Sequence, residues 1–333
     1  MSAHAPTDMF EDSPVSSRIF KFFNLKFGQI IAPVGLLKAC AVVSNQLEYP
    51  RLNVWCVAPT RQYKTQSSKE IMRMFPKKYL IDVGSDFTIH SLHEDYGDNV
   101  DGKTFNINDA TVLLASKSLR MKERLVGAFA ELLSDGKYTY ADFRTHWMVK
   151  GKCTAIVNQT TESFNNYKDR LLGLTLLERF FTSHHRLTLA EQRESKTEDL
   201  RDYHFKDTIE IYPRQIRNLH RFEDTIKEYA MDYSALALRS FNGCKDTITA
   251  MLKSHAILND RNRLVLDDLY FVRMMREYLK DPFTPNDHRI VECLRQGRSY
   301  KDICILLNRP YSYKAYISKV ARKAKERGVV DSD

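Results

Sequence analysis

Hydrophobic positions in the first half of the chain alternate between short β-rich runs and helical stripes. The run 52–57 is short, apolar and rich in β-formers, as expected for a buried strand of a parallel sheet. Comparable runs predict further strands at 79–83, 104–107 and 154–157. Helical spacing lies between them, most clearly over 121–133. Strands that alternate with helices predict an α/β fold, with a parallel sheet covered on both faces.

Two other regions carry helical patterns without a convincing strand. Residues 18–48 are predicted to be helical, with a break at Pro33-Val-Gly35. Residues 214–280 are almost entirely helix-like, and the prolines of Asp281-Pro-Phe-Thr-Pro285 end that region. The charge-dense stretch before it is predicted to be an exposed helix or a connector. The predicted organisation is a flexible tail (1–17), an α/β core (18–189), a connector with helices (190–280) and a C-terminal unit (285–333).

Composition places the chain among ordinary folded proteins. Of its 333 residues, 43% are hydrophobic and 28% are charged, unlike a disordered chain. No apolar run approaches the ~20 residues that cross a bilayer, and the first residues lack the pattern of a signal peptide, so we expect no membrane partner. The six cysteines are scattered without CxxC spacing. This favours a reducing, cytoplasmic location over a disulfide framework or a zinc site.

Positive charge is concentrated near the C-terminus. The whole chain carries a formal net charge of +9. Between Arg289 and Gly328 there are eleven Lys and Arg against three Asp and Glu, which gives +8 for this stretch alone. A basic block on a folded segment indicates a polyanion partner.

The basic stretch also has the pattern of three short helices. The first begins near Pro285, the second spans 299–307, and the third spans about 312–327 after the turn Asn308-Arg-Pro310. A tight turn before the last helix fits a helix-turn-helix or winged-helix unit that binds double-stranded DNA. Docking on RNA or on an acidic protein surface is the alternative. The candidate DNA contacts lie in the turn and outside the apolar stripe of the third helix: Arg309, Tyr311, Lys314, Lys319, Arg322 and Lys323.

The segment Ala58-Pro-Thr-Arg-Gln-Tyr-Lys-Thr65 directly follows the first predicted strand. It keeps the spacing and the Lys-Thr pair of a phosphate-binding loop, GxxxxGK[ST]. In such a loop backbone amides cradle the phosphates, the lysine reaches the β/γ oxygens and the hydroxyl binds magnesium. Ala58 and Tyr63 stand where the loop normally has glycine, and the change at Tyr63 matters more because glycine turns tightly without a Cβ. Taken alone, Lys64 has the alternative interpretation of a surface lysine.

Four more segments follow this loop in order along the chain: Phe105-Asn-Ile-Asn-Asp-Ala110, Cys153-Thr-Ala-Ile-Val-Asn158, Leu176-Leu-Glu-Arg-Phe180 and Ser234-Ala-Leu-Ala-Leu-Arg239. With the loop, this succession resembles the AAA+ ATPases, and within them the core of MCM-type helicases, over about residues 28–275. The resemblance implies a P-loop AAA+ parallel-sheet core, a helical lid within 190–280, and subunits that assemble as a homo-oligomer.

The resemblance also implies a role for one residue of each segment. Asn108 takes the place of the Walker B aspartate and Asp109 that of the glutamate, while a one-residue shift makes Asp109 the magnesium-side acid. Asn158 is similar to a sensor that orients the attacking water, and Arg179 to an arginine finger that reaches a neighbouring subunit. Arg239 resembles the second sensor, in the lid.

ATP and Mg²⁺ are the cofactors that the resemblance implies. The candidate nucleotide contacts are Ala58, Lys64, Thr65 and Arg239. The candidate contacts to Mg²⁺ are Thr65 and Asp109. Only one Walker B acid remains, which would slow hydrolysis but leave binding possible.

Two functions therefore stay open. One is a DNA-associated AAA+ ATPase, such as a helicase-like motor, a replication factor or a mobile-element ATPase. The other is a DNA-binding regulator or adaptor with an inactive AAA+ scaffold, which the two replaced glycines and the Asn108-Asp109 pair favour. Each single residue also has an ordinary alternative, since Asn158 can cap a strand and Arg179 can pair with Glu178 on the surface.

Overall fold

A computed structural model describes residues 13–84, 88–97, 100–114, 119–141, 146–173, 175–188, 203–237, 239–279, 285–326 and 330. Within these ranges, no helix has both the length and the apolar character needed to cross a bilayer. The helices and strands are, in chain order, α1 (Val15–Phe27), α2 (Ile31–Ser44), β1 (Asn53–Ala58), α3 (Lys64–Met74), β2 (Leu80–Val83), α4 (Ile89–Tyr96), β3 (Lys103–Ile107), α5 (Thr111–Leu114), α6 (Leu119–Asp135), β4 (Lys137–Ala141), β5 (His146–Lys150), β6 (Cys153–Thr160), α7 (Thr161–Gly173), β7 (Phe180–His184), α8 (Glu223–Ala237), α9 (Phe241–Leu258), α10 (Leu266–Met275), α11 (Pro285–Arg295), α12 (Tyr300–Leu306) and α13 (Lys314–Glu326).

Five parallel strands form the central sheet, in the order β2-β3-β6-β1-β7. The predicted α/β class and the four predicted strands are confirmed, the strands being β1, β2, β3 and β6. The edge strand β7 was not predicted, because its apolar residues are only the adjacent pair Phe180 and Phe181. The antiparallel hairpin of β4 and β5 was also missed, since β4 is largely exposed and has no apolar run.

Helices cover both faces of the sheet, because successive residues of each strand point to opposite sides. In β1, Val54 and Cys56 belong to a cluster with α1, α2, α3 and α8 to α10. Trp55 and Val57 belong to a second cluster with α5, α6 and α7. Burial of these two apolar clusters is the main stabilising contribution to the core.

The N-terminal helices differ from their predicted form. The break between them is at Gly28, where φ is 91°, and the predicted break at Pro33-Val-Gly35 is wrong. Pro33 fits the first turn of α2, where a missing N–H costs nothing. Gly35 lies inside the same helix against Phe23, whose ring a Cβ would approach to 2.4 Å. Helix α1 begins at Val15, inside the segment assigned to the tail, and residues 1–12 of that segment lie outside the described part.

The helical region that follows the sheet packs tightly onto the N-terminal helices. Side chains of α9, among them Ile248, Met251 and Leu252, share one buried cluster with Leu37 of α2. The Tyr278 hydroxyl also donates a hydrogen bond of 3.0 Å to the Ile30 carbonyl. The helices assigned to a lid are therefore built into the core on one face of the sheet. Residues 190–202 of the predicted connector lie outside the described ranges.

The C-terminal unit has a small hydrophobic core of its own. Its buried members come from all three helices: Ile290, Val291, Ile303, Cys304, Ile317, Val320 and Ala324. Ser299 caps α12 by accepting a hydrogen bond of 3.2 Å from the Asp302 amide. Asn308 takes a positive φ of 50° in the turn between α12 and α13. After α13, only Val330 is described.

Candidate functional site

The carboxyl ends of β1 and β6 mark the point where the chain leaves the sheet in opposite directions. After β1 the chain crosses towards β2 through α3, on the face that holds Ile71 and Met74. After β6 it crosses towards β7 through α7, on the face that holds Phe164 and Leu171. In open α/β sheets a crevice forms at such a switch point, and ligands bind there. The candidate phosphate loop lies at this crevice.

Tyr63 makes the turn from the loop into α3. Its backbone is left-handed, with φ 57° and ψ 11°, and Arg61 has φ 61°. This conformation costs a residue with a side chain about 1 kcal/mol or more. The Tyr63 ring lies 5.3 Å from the Phe27 ring, so packing against α1 offsets part of that cost. Tyr63 therefore adopts the turn for which glycine is usually needed.

Lys64 begins α3, and its amine points back across the loop. The Nζ atom donates to the Ala58 carbonyl at 2.8 Å and to the Pro59 carbonyl at 2.6 Å. Burial, and then the charge of Lys38, lowers the pKa of Lys64 to about 8. A buried amine with only carbonyl partners, at the start of a helix, can bind an anion such as a phosphate group.

Three of the candidate site residues lie together at the ends of β1 and β3: Thr65, Asn108 and Asp109. The Thr65 hydroxyl donates to the Asn108 carbonyl at 3.3 Å. Asp109 is exposed and accepts a hydrogen bond of 2.9 Å from the Thr111 amide, and its charge acts to raise the pKa of Lys64. The structure therefore brings the predicted contacts to phosphate and magnesium to one edge of the sheet.

Lys38 is a buried residue of this region that the sequence did not single out. It is fully buried in α2, and its Nζ donates to the Lys64 carbonyl, Ser67 Oγ, Ser68 Oγ and Asn158 Oδ1 at 2.8 to 3.0 Å. Burial lowers the pKa of Lys38, and no described carboxylate forms a salt bridge with it. Two lysine amines therefore flank the start of α3, and neither forms a salt bridge with a described carboxylate.

Asn158 faces this lysine and not the solvent. Its Oδ1 accepts from Lys38 at 3.0 Å, its Nδ2 donates to Ser68 Oγ at 2.9 Å, and the residue is 1% exposed. The side chain thus contacts the phosphate-loop helix through Ser68 and Lys38. Its assignment as the residue that orients the attacking water stays a prediction.

His185 closes the opposite side of the loop. Its Nε2 lies 3.2 Å from the Gln62 carbonyl, and Gln62 Oε1 accepts from the Leu187 amide at 2.5 Å. Burial, followed by the charges of Lys38 and Lys64, lowers the pKa of His185 to about 3, so the imidazole is neutral at pH 7. The chain after β7 therefore holds the loop in place. No signal in the sequence connected these residues.

Arg179 and Arg239 lie at the other edge of the sheet. Arg179 immediately precedes β7, whose first residue pairs with Asn53 at the start of β1. Arg239 donates to the Glu178 carbonyl and, at 3.3 Å, to Thr247 Oγ1. The length of β1 separates this edge from the phosphate loop by about 17 Å. The Arg239 side chain therefore lies about one strand length from the loop of its own chain, and its assignment to the nucleotide stays a prediction.

The candidate DNA contacts lie on the outer face of the C-terminal unit. Lys323 is half-buried, and the others are exposed: Arg309, Tyr311, Lys314, Lys319 and Arg322. The guanidinium of Arg309 lies 5.6 Å from the centre of the Tyr313 ring, and Lys314 Nζ lies 5.6 Å from that of Tyr311. These cations are on the surface, so an extended polyanion can contact several of them together.

Among the described residues, no group of three or more His, Cys, Asp or Glu side chains could hold a metal ion. Magnesium needs fewer protein ligands, because it is commonly held by one or two carboxylates together with phosphates and water. The Thr65 hydroxyl and the exposed Asp109 carboxylate, at the ends of β1 and β3, are chemically suited to that mode.

No protein-family model matches the chain, and a search of curated proteins finds no match.

Proposed function

We propose that the chain is a DNA-associated, ATP-binding protein of the AAA+ type, in which the crevice at the ends of β1 and β6 holds the phosphates of ATP. The observation that carries this proposal is the position of Lys64 and Thr65. They begin a helix after the second-outermost strand of the parallel sheet, at its switch point, and beside Asn108 and Asp109, which follow β3. Backbone amides at the start of α3 and the two ammonium groups there would stabilise the phosphate charges.

Electrostatics supports an anion at this site over a neutral ligand. Burial lowers the pKa of both Lys38 and Lys64, and the charge of Lys38 lowers that of Lys64 further. A bound phosphate group would add the negative charge that these amines lack. ATP would be held by Lys64, with Thr65 and Asp109 on the magnesium side.

The positions of Arg179 and Arg239 support an assembly of subunits. Both lie about one strand length from the loop, at the far edge of the sheet, beside the exposed Glu178. From that edge the exposed Arg179 would act on the nucleotide of a neighbouring copy, whereas Arg239 donates to Glu178 and Thr247 of its own chain. A homo-oligomer with ATP at its interfaces is therefore part of the proposal.

The second candidate function is a DNA-binding regulator with an inactive nucleotide-binding scaffold. It is favoured by the hydrogen bonds of Lys64 to Ala58 and Pro59, which close the loop on itself, and by the amide at position 108. In that case the C-terminal unit would carry the function, with a core that does not turn over ATP.

ATP binding and turnover in Lys64→Ala separate these functions. We expect Mg·ATP affinity to fall about 10- to 100-fold, because a charge-assisted contact to phosphate is lost. The matched control is Lys69→Ala, which removes an exposed lysine of the same helix. Turnover is measured for all three chains with and without duplex DNA.

Equal and negligible turnover in every sample would leave only the regulator. If Lys64→Ala also bound ATP as tightly as the wild type, the phosphate-loop assignment would be wrong.

A further inference from the structure

The side chain of Asp82 is an acidic group in direct contact with Asn108. Asp82 lies on β2, and the register pairs it with Asn106 of the neighbouring strand β3. Asn106 Nδ2 donates to Asp82 Oδ1 at 2.8 Å, and Asn108 Nδ2 donates to the same oxygen at 3.1 Å. One carboxylate oxygen thus receives two amide groups that lie two residues apart on one face of β3.

We propose that Asp82 supplies the magnesium-side carboxylate of the nucleotide site, in place of the acid that β3 lacks at Asn108. This inference rests on the proposed function, since it concerns the metal that accompanies ATP. It raises the number of acids at the site to two, because Asp82 of β2 and Asp109, which follows β3, would each provide a carboxylate.

The two asparagines hold the Asp82 carboxylate in position. Asn106 is fully buried in the sheet, and its amide also donates to Asn108 Oδ1 at 3.3 Å. The three side chains therefore form a closed set of hydrogen bonds, with the charge on Asp82. Hydrogen bonds from neutral amides to a carboxylate stabilise its charged form.

A direct connection runs from this set to the phosphate loop. The Thr65 hydroxyl donates to the backbone carbonyl of Asn108, whose side chain contacts Asp82. Asp82 Oδ1 lies 3.1 Å from Asn108 Nδ2. The charge of Asp82 is therefore one hydrogen-bond length from the place that the carboxylate of an aspartate at position 108 would occupy.

The second oxygen of Asp82 is directed away from these bonds. Among the described residues, no donor binds Oδ2, and the side chain is exposed at the edge of the sheet. Mg²⁺ that is bound together with phosphates keeps several water ligands. A carboxylate oxygen that is separated from the ion by one of these waters attracts it strongly. Asp82 Oδ2 is suited to accept from such a water.

The test is the effect of Mg²⁺ on ATP affinity in the full-length chain, for the wild type and for Asp82→Asn. The asparagine keeps an accepting oxygen for Asn106 and Asn108 and removes only the charge. We expect the tightening of ATP binding by Mg²⁺ to shrink about tenfold in Asp82→Asn, with Mg²⁺-free affinity unchanged or slightly improved. The control is Asp101→Asn, an exposed acid that precedes β3 at the opposite edge of the sheet.

A charge swap distinguishes a metal-side role from a purely structural one. The double variant Asp82→Asn with Asn108→Asp exchanges the carboxylate and the amide across the same hydrogen bond. It should recover most of the Mg²⁺ effect, because the charge returns to the same place from the other strand. A structural role predicts no such recovery, and thermal unfolding of each variant shows whether the fold is intact.

If Mg²⁺ tightened ATP binding by Asp82→Asn as much as by the wild type, the inference about Asp82 would be wrong. The proposed nucleotide site would be unaffected by that result. A wild type that binds no ATP, with or without Mg²⁺, would overturn the proposed function and this inference with it. The two failures are distinct, because the first still gives an affinity that Lys64→Ala lowers.

Discussion

The crevice beside the phosphate loop and the C-terminal unit both carry positive charge, but they hold it in opposite ways. In the crevice, Lys38 and Lys64 are buried, and each has named partners at 2.6 to 3.0 Å. In the C-terminal unit, Lys314, Lys319 and Arg322 are exposed on one face. A buried cation depends on the position of every partner, whereas an exposed array acts through its summed charge. Single substitutions should therefore have large effects in the crevice and small ones in the C-terminal unit.

The largest effect on stability is expected from Lys38→Met. Methionine fills a similar volume but leaves Ser67, Ser68 and Asn158 without their shared donor. Buried acceptors that lose a partner cost about 1 kcal/mol or more each, so we expect a loss of about 3 kcal/mol in the free energy of unfolding. Urea unfolding of the full chain measures it.

The matched control for this substitution is Lys69→Met, on the exposed side of α3. It should change stability by less than about 0.5 kcal/mol. A Lys38→Met protein as stable as this control would mean that the buried network contributes nothing to the fold.

Removal of residues 285–333 is the matching test of the C-terminal unit. The unit has its own buried core, so the rest of the chain should remain folded. We expect duplex DNA affinity to fall about 100-fold or more at low salt, because the concentrated charge is lost. Fluorescence anisotropy over a series of salt concentrations measures it, and duplex affinity retained by the truncated chain would place the DNA site in the core.

The crevice and the C-terminal unit also differ in how much of each could be predicted from the sequence. The C-terminal helices and the Lys64-Thr65 turn were predicted because each depends on neighbours within a few residues. Contacts of the crevice join distant positions: Lys38 and Asn158 are 120 residues apart, and Asp82 and Asn108 are 26 apart. Such pairs follow from strand order and register, which local periodicity does not determine.

The surroundings of Arg239 depend on distant contacts in the same way. It lies between α8 and α9, and its guanidinium donates to the Glu178 carbonyl at the far edge of the sheet. The order of motifs along a sequence fixes neither the face nor the edge to which each side chain belongs.

His185→Gln tests whether the crevice is as closed as its geometry indicates. The folded-state pKa of His185 is about 3, below the ~6.5 of an unfolded chain, so the unfolded state binds the extra proton first as pH falls. The contribution of His185 to stability is fully present above pH ~6.5 and is lost progressively as pH falls towards 3. Lowering the pH from 7 to 5 should reduce the free energy of unfolding of the wild type by about 2 kcal/mol through this one group.

Urea unfolding of both chains at the two pH values measures the difference. His185→Gln should be less sensitive to pH by that amount, whereas His220→Gln, at an exposed position, should behave as the wild type. If His185→Gln kept the full pH dependence of the wild type, His185 would be accessible to protons in the folded state.

The smallest effect is expected from a single exposed cation of α13. Lys319→Ala removes one side chain from the outer face and leaves the core of Ile317 and Val320 intact. We expect duplex affinity to fall a few-fold and the salt dependence of log affinity to decrease by about one, as for the loss of one phosphate contact. Lys69→Ala, outside the unit, should alter neither quantity. A loss near that of the whole truncation would mean that Lys319 contacts a specific group, and that binding by this unit is not spread over its charges.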